Sequence, residues 1–312
     1  MRIAVIGAGG VGGFFGGKLA QAGHEVTFVA RGRHLDAILA NGLVVESATG
    51  NFTVAPARAV ERLADVGPVD VAMLCVKLWD VEPTAPALAP LLSGGGVVIP
   101  FQNGVDSPAT LQRVLGAAKV LGGVAYIAAT IRAPGVIAHS GSMARLTVGA
   151  FDARLAAQAA AFAAACAAAG FPCENAVDIR QALWKKYVFL AAMSGVTSLA
   201  RQPVGVVRAD PDLRATFTAA MQEIVAVAST QGVDLGDDFV AKQLAFLDTL
   251  PAEMRSSMQN DLAAGNRLEA PWLAGGVARM ARMADVPAPV NATIFAALKP
   301  YIDGTVRMGA AR

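Results

Sequence analysis

A chain of 312 residues is long enough for about two domains of roughly 150 residues each. Its hydrophobic fraction of 54%, against 16% charged residues, supports a large buried core and excludes a disordered or disulfide-scaffold protein. With 26 Lys+Arg against 24 Asp+Glu, the net charge of +2 is too slight for the concentrated basic face of a dedicated nucleic-acid binder.

Strand and helix signals alternate from the start. Ile3–Ile6 is a short apolar strand, a glycine loop follows, and Phe14–Ala22 forms a helix ended by Gly23. Glu25–Ala30 is a second strand, and Val44–Glu46 and Phe52–Val54 flank a turn at Thr49-Gly50-Asn51. Val69–Val76 and Val97–Pro100 are further apolar strands, each closed by a polar or Gly/Pro cluster, and Val120–Tyr126 is another strand. Val136–His139 and Arg145–Val148, separated by Ser140-Gly141-Ser142, read as a hairpin. The alternation implies a parallel sheet covered on both faces. Beyond about Asp178 the chain reads as helices alone: Ala182–Leu199, Leu213–Gln231, Asp238–Leu247, Met254–Ala264, Pro271–Ala284 and Asn291–Tyr301. The expected architecture is an α/β, parallel-sheet domain at 1–177 followed by an all-helical domain at 178–312.

High hydropathy raises the question of a membrane. The most apolar runs are Leu155–Phe171, mostly alanine and carrying Gln158, and Tyr187–Ala200, closed by Arg201. A span needs about 20 predominantly apolar residues, so both read as buried helices. The first residues, Met1-Arg2-Ile3-Ala4, enter a strand at once and predict no signal peptide. Cys75, Cys166 and Cys173 are few, odd in number and set among apolar neighbours, which suits a reducing cytoplasm. His24, His34 and His139 stand apart from one another, so no metal site is expected.

Gly7-Ala8-Gly9-Gly10-Val11-Gly12 fits G-x-G-x-x-G directly after a strand and opens a helix. Glycines there permit a tight turn, close approach of the backbone to a pyrophosphate and close helix–sheet packing. The helix N-terminus then presents free N–H groups to the phosphates. A site for NAD would place an acid at the end of the second strand, but this chain has Val29-Ala30-Arg31-Gly32-Arg33 and no acid before Asp36. An arginine is a permanently charged, bidentate partner for a 2′-phosphate, so NADP(H) is the expected cofactor. Lys77, just past its strand, shares that carboxyl edge. Phe101-Gln102-Asn103-Gly104 follows another strand, where Asn103 can meet a nicotinamide or simply form a turn. Leu183-Trp184-Lys185-Lys186-Tyr187 opens an apolar helix. A lysine facing an apolar cleft loses solvation and moves towards general-acid use, whereas one that snorkels to solvent does not. Ser257 and Asp261, four residues apart, share a helical face.

Together these features resemble the ketopantoate reductase (2-dehydropantoate 2-reductase) family along essentially the whole chain. The likeness rests on Gly7–Gly12, Arg31, Val76-Lys77, Gln102-Asn103-Gly104, Pro134-Gly135 through His139, Leu183-Trp184 with Lys186, and Ser256-Ser257 with Asp261 and Glu269. The resemblance implies an N-terminal Rossmann-type domain joined to a helical domain, and NADPH-dependent reduction of a 2-oxo acid, ketopantoate to pantoate in pantothenate biosynthesis. It makes Lys186 the proton donor. It also puts Arg31 and Lys77 at the 2′-phosphate end of the cofactor, Asn103 and Glu269 near the nicotinamide and its ribose, and Ser257, with Asn103, Lys186 and Ser194, on the substrate. The chain departs from the family's pattern where asparagines are expected: Leu190 and Ser194 stand one and two turns beyond Lys186, and Val204 stands in the loop after that helix. Fewer amides on that face imply a less polar substrate.

The rival readings are a non-catalytic NADP-binding sensor and a 3-hydroxy acid dehydrogenase, whose glycine-rich segment is not evident near Arg132–Gly135. No nucleic-acid or membrane partner is expected. The apolar faces of Pro271–Met283 and Asn291–Tyr301 serve either as core or as a homodimer interface.

Overall fold

A computed structural model describes residues 1–304. These form two compact units: Met1–Gln102 with Ser107–Leu183, and Asn103–Asp106 with everything from Trp184 onward.

The first unit contains β1 (Arg2–Ile6), α1 (Gly10–Gln21), β2 (Glu25–Val29), α2 (Gly32–Asn41), β3 (Leu43–Ser47), β4 (Phe52–Val54), β5 (Arg58–Val60) and β6 (Val71–Leu74). It continues through α3 (Leu78–Thr84), β7 (Val97–Pro100), α4 (Asp106–Leu115), β8 (Leu121–Ala133), β9 (Val136–Ala150), α5 (Ala156–Ala168) and β10 (Cys173–Asn175). Five strands form a parallel sheet in the order β5-β2-β1-β6-β7. The chain leaves β1 towards β2 on one side and later returns to β6 on the other. The loop after β1 therefore lies at the switch point, where sheets of this type bind ligands. Alternate residues of β1 serve two cores: Ile3 and Val5 pack on one face, Ala4 and Ile6 on the other.

The second sheet differs from the sequence expectation. Val136–His139 and Arg145–Val148 do not pair with each other; both belong to β9, which runs antiparallel to the whole of β8. Ser140-Gly141-Ser142 is an excursion within that strand, with Gly141 at φ +73°. His139 spans the excursion, its Nε2 lying 3.1 Å from the Met143 carbonyl. The actual turn of the hairpin is at Pro134-Gly135. On its other side β9 pairs with β3 and β10, and β4 completes this mixed sheet.

The helix α1 lies between the two sheets, which explains its small residues. A Cβ on Gly16 would meet Val5 and Phe28 of the parallel sheet, while one on Gly13 or Gly17 would meet Ile137 or Phe52 of the mixed sheet. Any larger side chain there would force the sheets apart.

The second unit is helical. It takes up α6 (Ile179–Ala200) from Trp184 and adds α7 (Val204–Ala209), α8 (Pro211–Thr230), α9 (Phe239–Thr249), α10 (Ser257–Ala264), α11 (Ala274–Met283) and α12 (Pro289–Leu298). Its core joins Val188, Ala192 and Val196 of α6 to Phe217, Met221 and Ile224 of α8 and to Val277 and Ile294. Glu223 on α8 accepts bonds from the backbone N–H groups of Val290 (2.7 Å) and Asn291 (2.9 Å), so it caps α12 from another helix. Among the described residues no helix is long and apolar enough to cross a membrane.

Candidate active site

The glycine loop joins β1 to α1 at the carboxyl edge of the parallel sheet. Its three motif glycines are required for different reasons. Gly7 has φ +96°, a conformation L side chains rarely adopt, and a Cβ there would lie 2.9 Å from the Cys75 carbonyl. A Cβ on Gly12 would lie 2.2 Å from the Gly7 carbonyl oxygen and 2.8 Å from Val5. Gly9 is different: its φ of −78° suits any residue, and a Cβ would find no atom within 4 Å. Protein packing therefore explains Gly7 and Gly12 but not Gly9. The open space at Gly9 lies over the start of α1, whose first turn has neither a side-chain cap nor an acidic residue. A phosphate-bearing cofactor fits such an opening, because its oxygens meet unsatisfied N–H groups and the positive end of the helix dipole.

The same edge carries Arg31 at the start of α2 and Lys77 at the start of α3, both exposed. Lys77 Nζ lies 5.7 Å from the centroid of the Trp79 ring. Gln102, just past β7, donates from Nε2 to the carbonyls of Leu74 (2.8 Å) and Val76 (3.0 Å). It thereby ties the end of β7 to the turn that presents Lys77, while its buried Oε1 has no partner among the described residues. A contributor on this edge was not legible in the sequence. His34, which stands apart from the other histidines in the sequence, accepts at Nδ1 from the Gly135 N–H (3.0 Å) and bonds through Nε2 to the Ala8 carbonyl (2.8 Å). Its ring braces the glycine loop against the β8–β9 turn. Among the described residues no group of three or more His, Cys, Asp or Glu is placed to hold a metal.

The second unit holds the amine. Of the adjacent lysines on α6, Lys185 is exposed and Lys186 is partly buried. Lys186 Nζ donates to Asn103 Oδ1 at 2.8 Å. Burial pulls the ammonium down to about 8, and the Glu269 carboxylate acts in the opposite direction. The next residue, Tyr187, donates its hydroxyl to the Leu273 carbonyl (2.8 Å) and lies 3.0 Å from that of Trp272. The turn Glu269–Leu273, closed by the N–H groups of Trp272 and Leu273 on the Glu269 carbonyl, is thus anchored beside the lysine.

The remaining expected residues divide in their surroundings. Ser256, not Ser257, is buried: its Oγ accepts from the Gln259 N–H at the start of α10 and lies 2.9 Å from Thr197 Oγ1 on α6. Ser257 is exposed. Asp261 closes the turn after α10, accepting from the Asn266 side chain (3.1 Å) at Oδ1 and from the Asn266 N–H (2.8 Å) at its carbonyl. Leu190 is partly buried, Ser194 is buried with a hydroxyl that has no partner among the described residues, and Val204 lies wholly within the helical core.

The model of "Ketopantoate reductase PanE/ApbA" matches residues 3–153, and that of its C-terminal domain matches residues 178–302. The chain belongs to the ketopantoate reductase family. Similar members include a 2-dehydropantoate 2-reductase of Halobacterium salinarum, 31% identical, with 94% of this chain and 96% of the relative covered. An uncharacterized oxidoreductase of Bacillus subtilis is 29% identical over 96% of this chain and 99% of its own. A crystal structure of a PanE/ApbA family ketopantoate reductase from Ralstonia eutropha superposes with a TM-score of 0.88 at 33% identity, covering 96% of this chain and 98% of that one. Ketopantoate reductase family membership makes this chain an oxidoreductase. Its fold, a parallel-sheet N-terminal part followed by helices, is the family's own.

Proposed function

We propose that this protein catalyses the NADPH-dependent reduction of a 2-oxo acid, ketopantoate to pantoate, as in the synthesis of pantothenate. The observation that carries this reading is Lys186: a partly buried ammonium, lowered to about 8, held on the Asn103 carboxamide. NADPH, when bound, supplies a hydride to C2 of the oxo acid. The chain's own task is then to stabilise and protonate the oxygen at that carbon. A lysine that is charged at neutral pH yet weakly solvated does both, since its field is poorly screened and its proton is released easily. Asn103 Oδ1 accepts one ammonium proton and so fixes the direction of the other two. Glu269 keeps the amine charged against the cost of burial. Gly7–Gly12 and the start of α1 would hold the pyrophosphate, and Arg31 with Lys77 the 2′-phosphate. The absence of an acid at the end of β2, where Ala30 and Arg31 stand, favours NADPH over NADH. Ser257 and Ser194 are assigned to the substrate.

A specific observation favours a second reading, a less polar 2-oxo acid within the same chemistry. Leu190 stands one turn beyond Lys186 and Val204 has joined the core, so these positions offer no amide to a substrate hydroxyl. Comparison of kcat/KM for ketopantoate and for branched apolar 2-oxo acids separates the two. A preference for ketopantoate of tenfold or more refutes the second reading.

A further inference from the structure

Asn103–Asp106 is the one described segment before Trp184 that groups with the helical unit. It is short and contains Gly104 at φ +94°, so the chain itself does little to fix the Asn103 side chain. Two contacts bracket it. At one end Asn103 accepts from Lys186. At the other, Asp106 Oδ2 accepts from Arg279 of α11 at 2.6 Å. Between them Val105 packs on the helical core. Burial raises the Asp106 carboxyl above its usual range, and the Arg279 guanidinium beside it acts in the opposite direction. The ion pair also lies close to the anchor of the Glu269 turn. Gly276, one turn before Arg279, has no Cβ to strike the Tyr187 hydroxyl, which would be 2.9 Å away, and Asp106 Oδ2 would be 3.7 Å from the same point.

We propose that the Asp106–Arg279 ion pair is a positioning device that holds the Asn103 carboxamide on the Lys186 ammonium. Neither residue touches the reacting atoms; both act through Asn103. This deepens the reading of Lys186 as proton donor and rests on it, but its test does not need turnover. The unprotonated amine of Lys186 attacks a neutral acylating reagent, and peptide mass spectrometry reads the rate at that one lysine. Releasing Nζ from Asn103 Oδ1 raises the rate in Asn103→Ala by about fivefold, the scale of one such coupling. Arg279→Met is expected to raise it by a similar factor and Arg279→Lys to restore most of the protection. Arg279→Met placed in the Asn103→Ala background is expected to add less than about twofold. Should Arg279→Met fail to fold, Asp106→Asn, which keeps the side chain's shape, takes its place with the same expectation. Wild-type labelling in the charge-removing variant, or full additivity with Asn103→Ala, overturns the proposal. In turnover, kcat should fall with KM for NADPH unchanged. A wild-type enzyme that reduces no 2-oxo acid defeats the functional reading alone, because the labelling cycle still decides the positioning.

Discussion

Gly9 and Gly12 sit three residues apart in one loop, yet their replacement by alanine should have opposite consequences. In Gly12→Ala the new methyl lies 2.2 Å from the Gly7 carbonyl oxygen and 2.8 Å from Val5 Cγ1, so strand and helix must separate. Overpacking of this kind costs about 1–3 kcal/mol. At about 2–4 °C per kcal/mol for a unit of this size, the unfolding midpoint should drop by about 2–12 °C. In Gly9→Ala the backbone is already at φ −78° and ψ −158°, and the methyl enters empty space. Stability should change by no more than about 0.5 kcal/mol. That empty space is where the pyrophosphate is assigned, and losing hydrogen bonds to a charged group costs about 1.5–3 kcal/mol. NADPH affinity should therefore fall roughly 10–150-fold. Thermal unfolding without ligand and titration of nicotinamide fluorescence measure the two quantities separately. Wild-type NADPH affinity in Gly9→Ala would refute the assignment of the loop to the cofactor, and an unchanged midpoint in Gly12→Ala would refute the packing argument.

Other outcomes follow from the same structure. Reduction needs the Lys186 ammonium, so its rate should fall about tenfold per pH unit above about 8, and a pH–rate profile flat to pH 9.5 would exclude this lysine as donor. The unfolded chain binds that proton up to about 10.5, so this group's contribution to stability rises with pH between about 8 and about 10.5; urea titrations of Lys186→Met beside wild type should show the slope vanish. Arg31→Ala should weaken NADPH by roughly 10–150-fold while leaving NADH nearly unchanged, as read by paired binding titrations. Glu223→Ala leaves two N–H groups at the start of α12 without their acceptor and removes one of the two bonds donated by Asn291 Nδ2, which keeps the Ala220 carbonyl. It should cost about 2–4 kcal/mol in urea unfolding.

The parts of this molecule that were legible in the sequence are those fixed by local chemistry. A strand, a G-x-G-x-x-G turn and a helix must follow one another when Val5, Gly7 and Gly12 are spaced as they are, and β1 and α1 do so. Asn103 and Lys186 stood out only as residue types in suggestive places, and nothing in the spacing of residues 83 apart specifies their hydrogen bond. Ser140-Gly141-Ser142 has the composition of a turn, so local sequence predicts a hairpin there and hides the β8–β9 pairing. Continuous pairing with β8 on both sides overrides that local preference and leaves an excursion instead. His34 and Tyr187 gave no signal at all, since each acts by reaching backbone carbonyls distant in sequence. Ser256 and Ser257 look equivalent in the chain, but the start of α10 buries one as a cap and exposes the other.

The central claim, that Lys186 donates the proton in an NADPH-dependent 2-oxo acid reduction, is tested most directly by NADPH consumption. The measurement covers ketopantoate and a panel of more apolar 2-oxo acids, with Lys186→Met beside the wild type. The account predicts turnover of at least one oxo acid by the wild type and a loss of about 10²–10⁴-fold in kcat in the variant, with NADPH still bound. No consumption with any 2-oxo acid, or a variant as fast as the wild type, would contradict it.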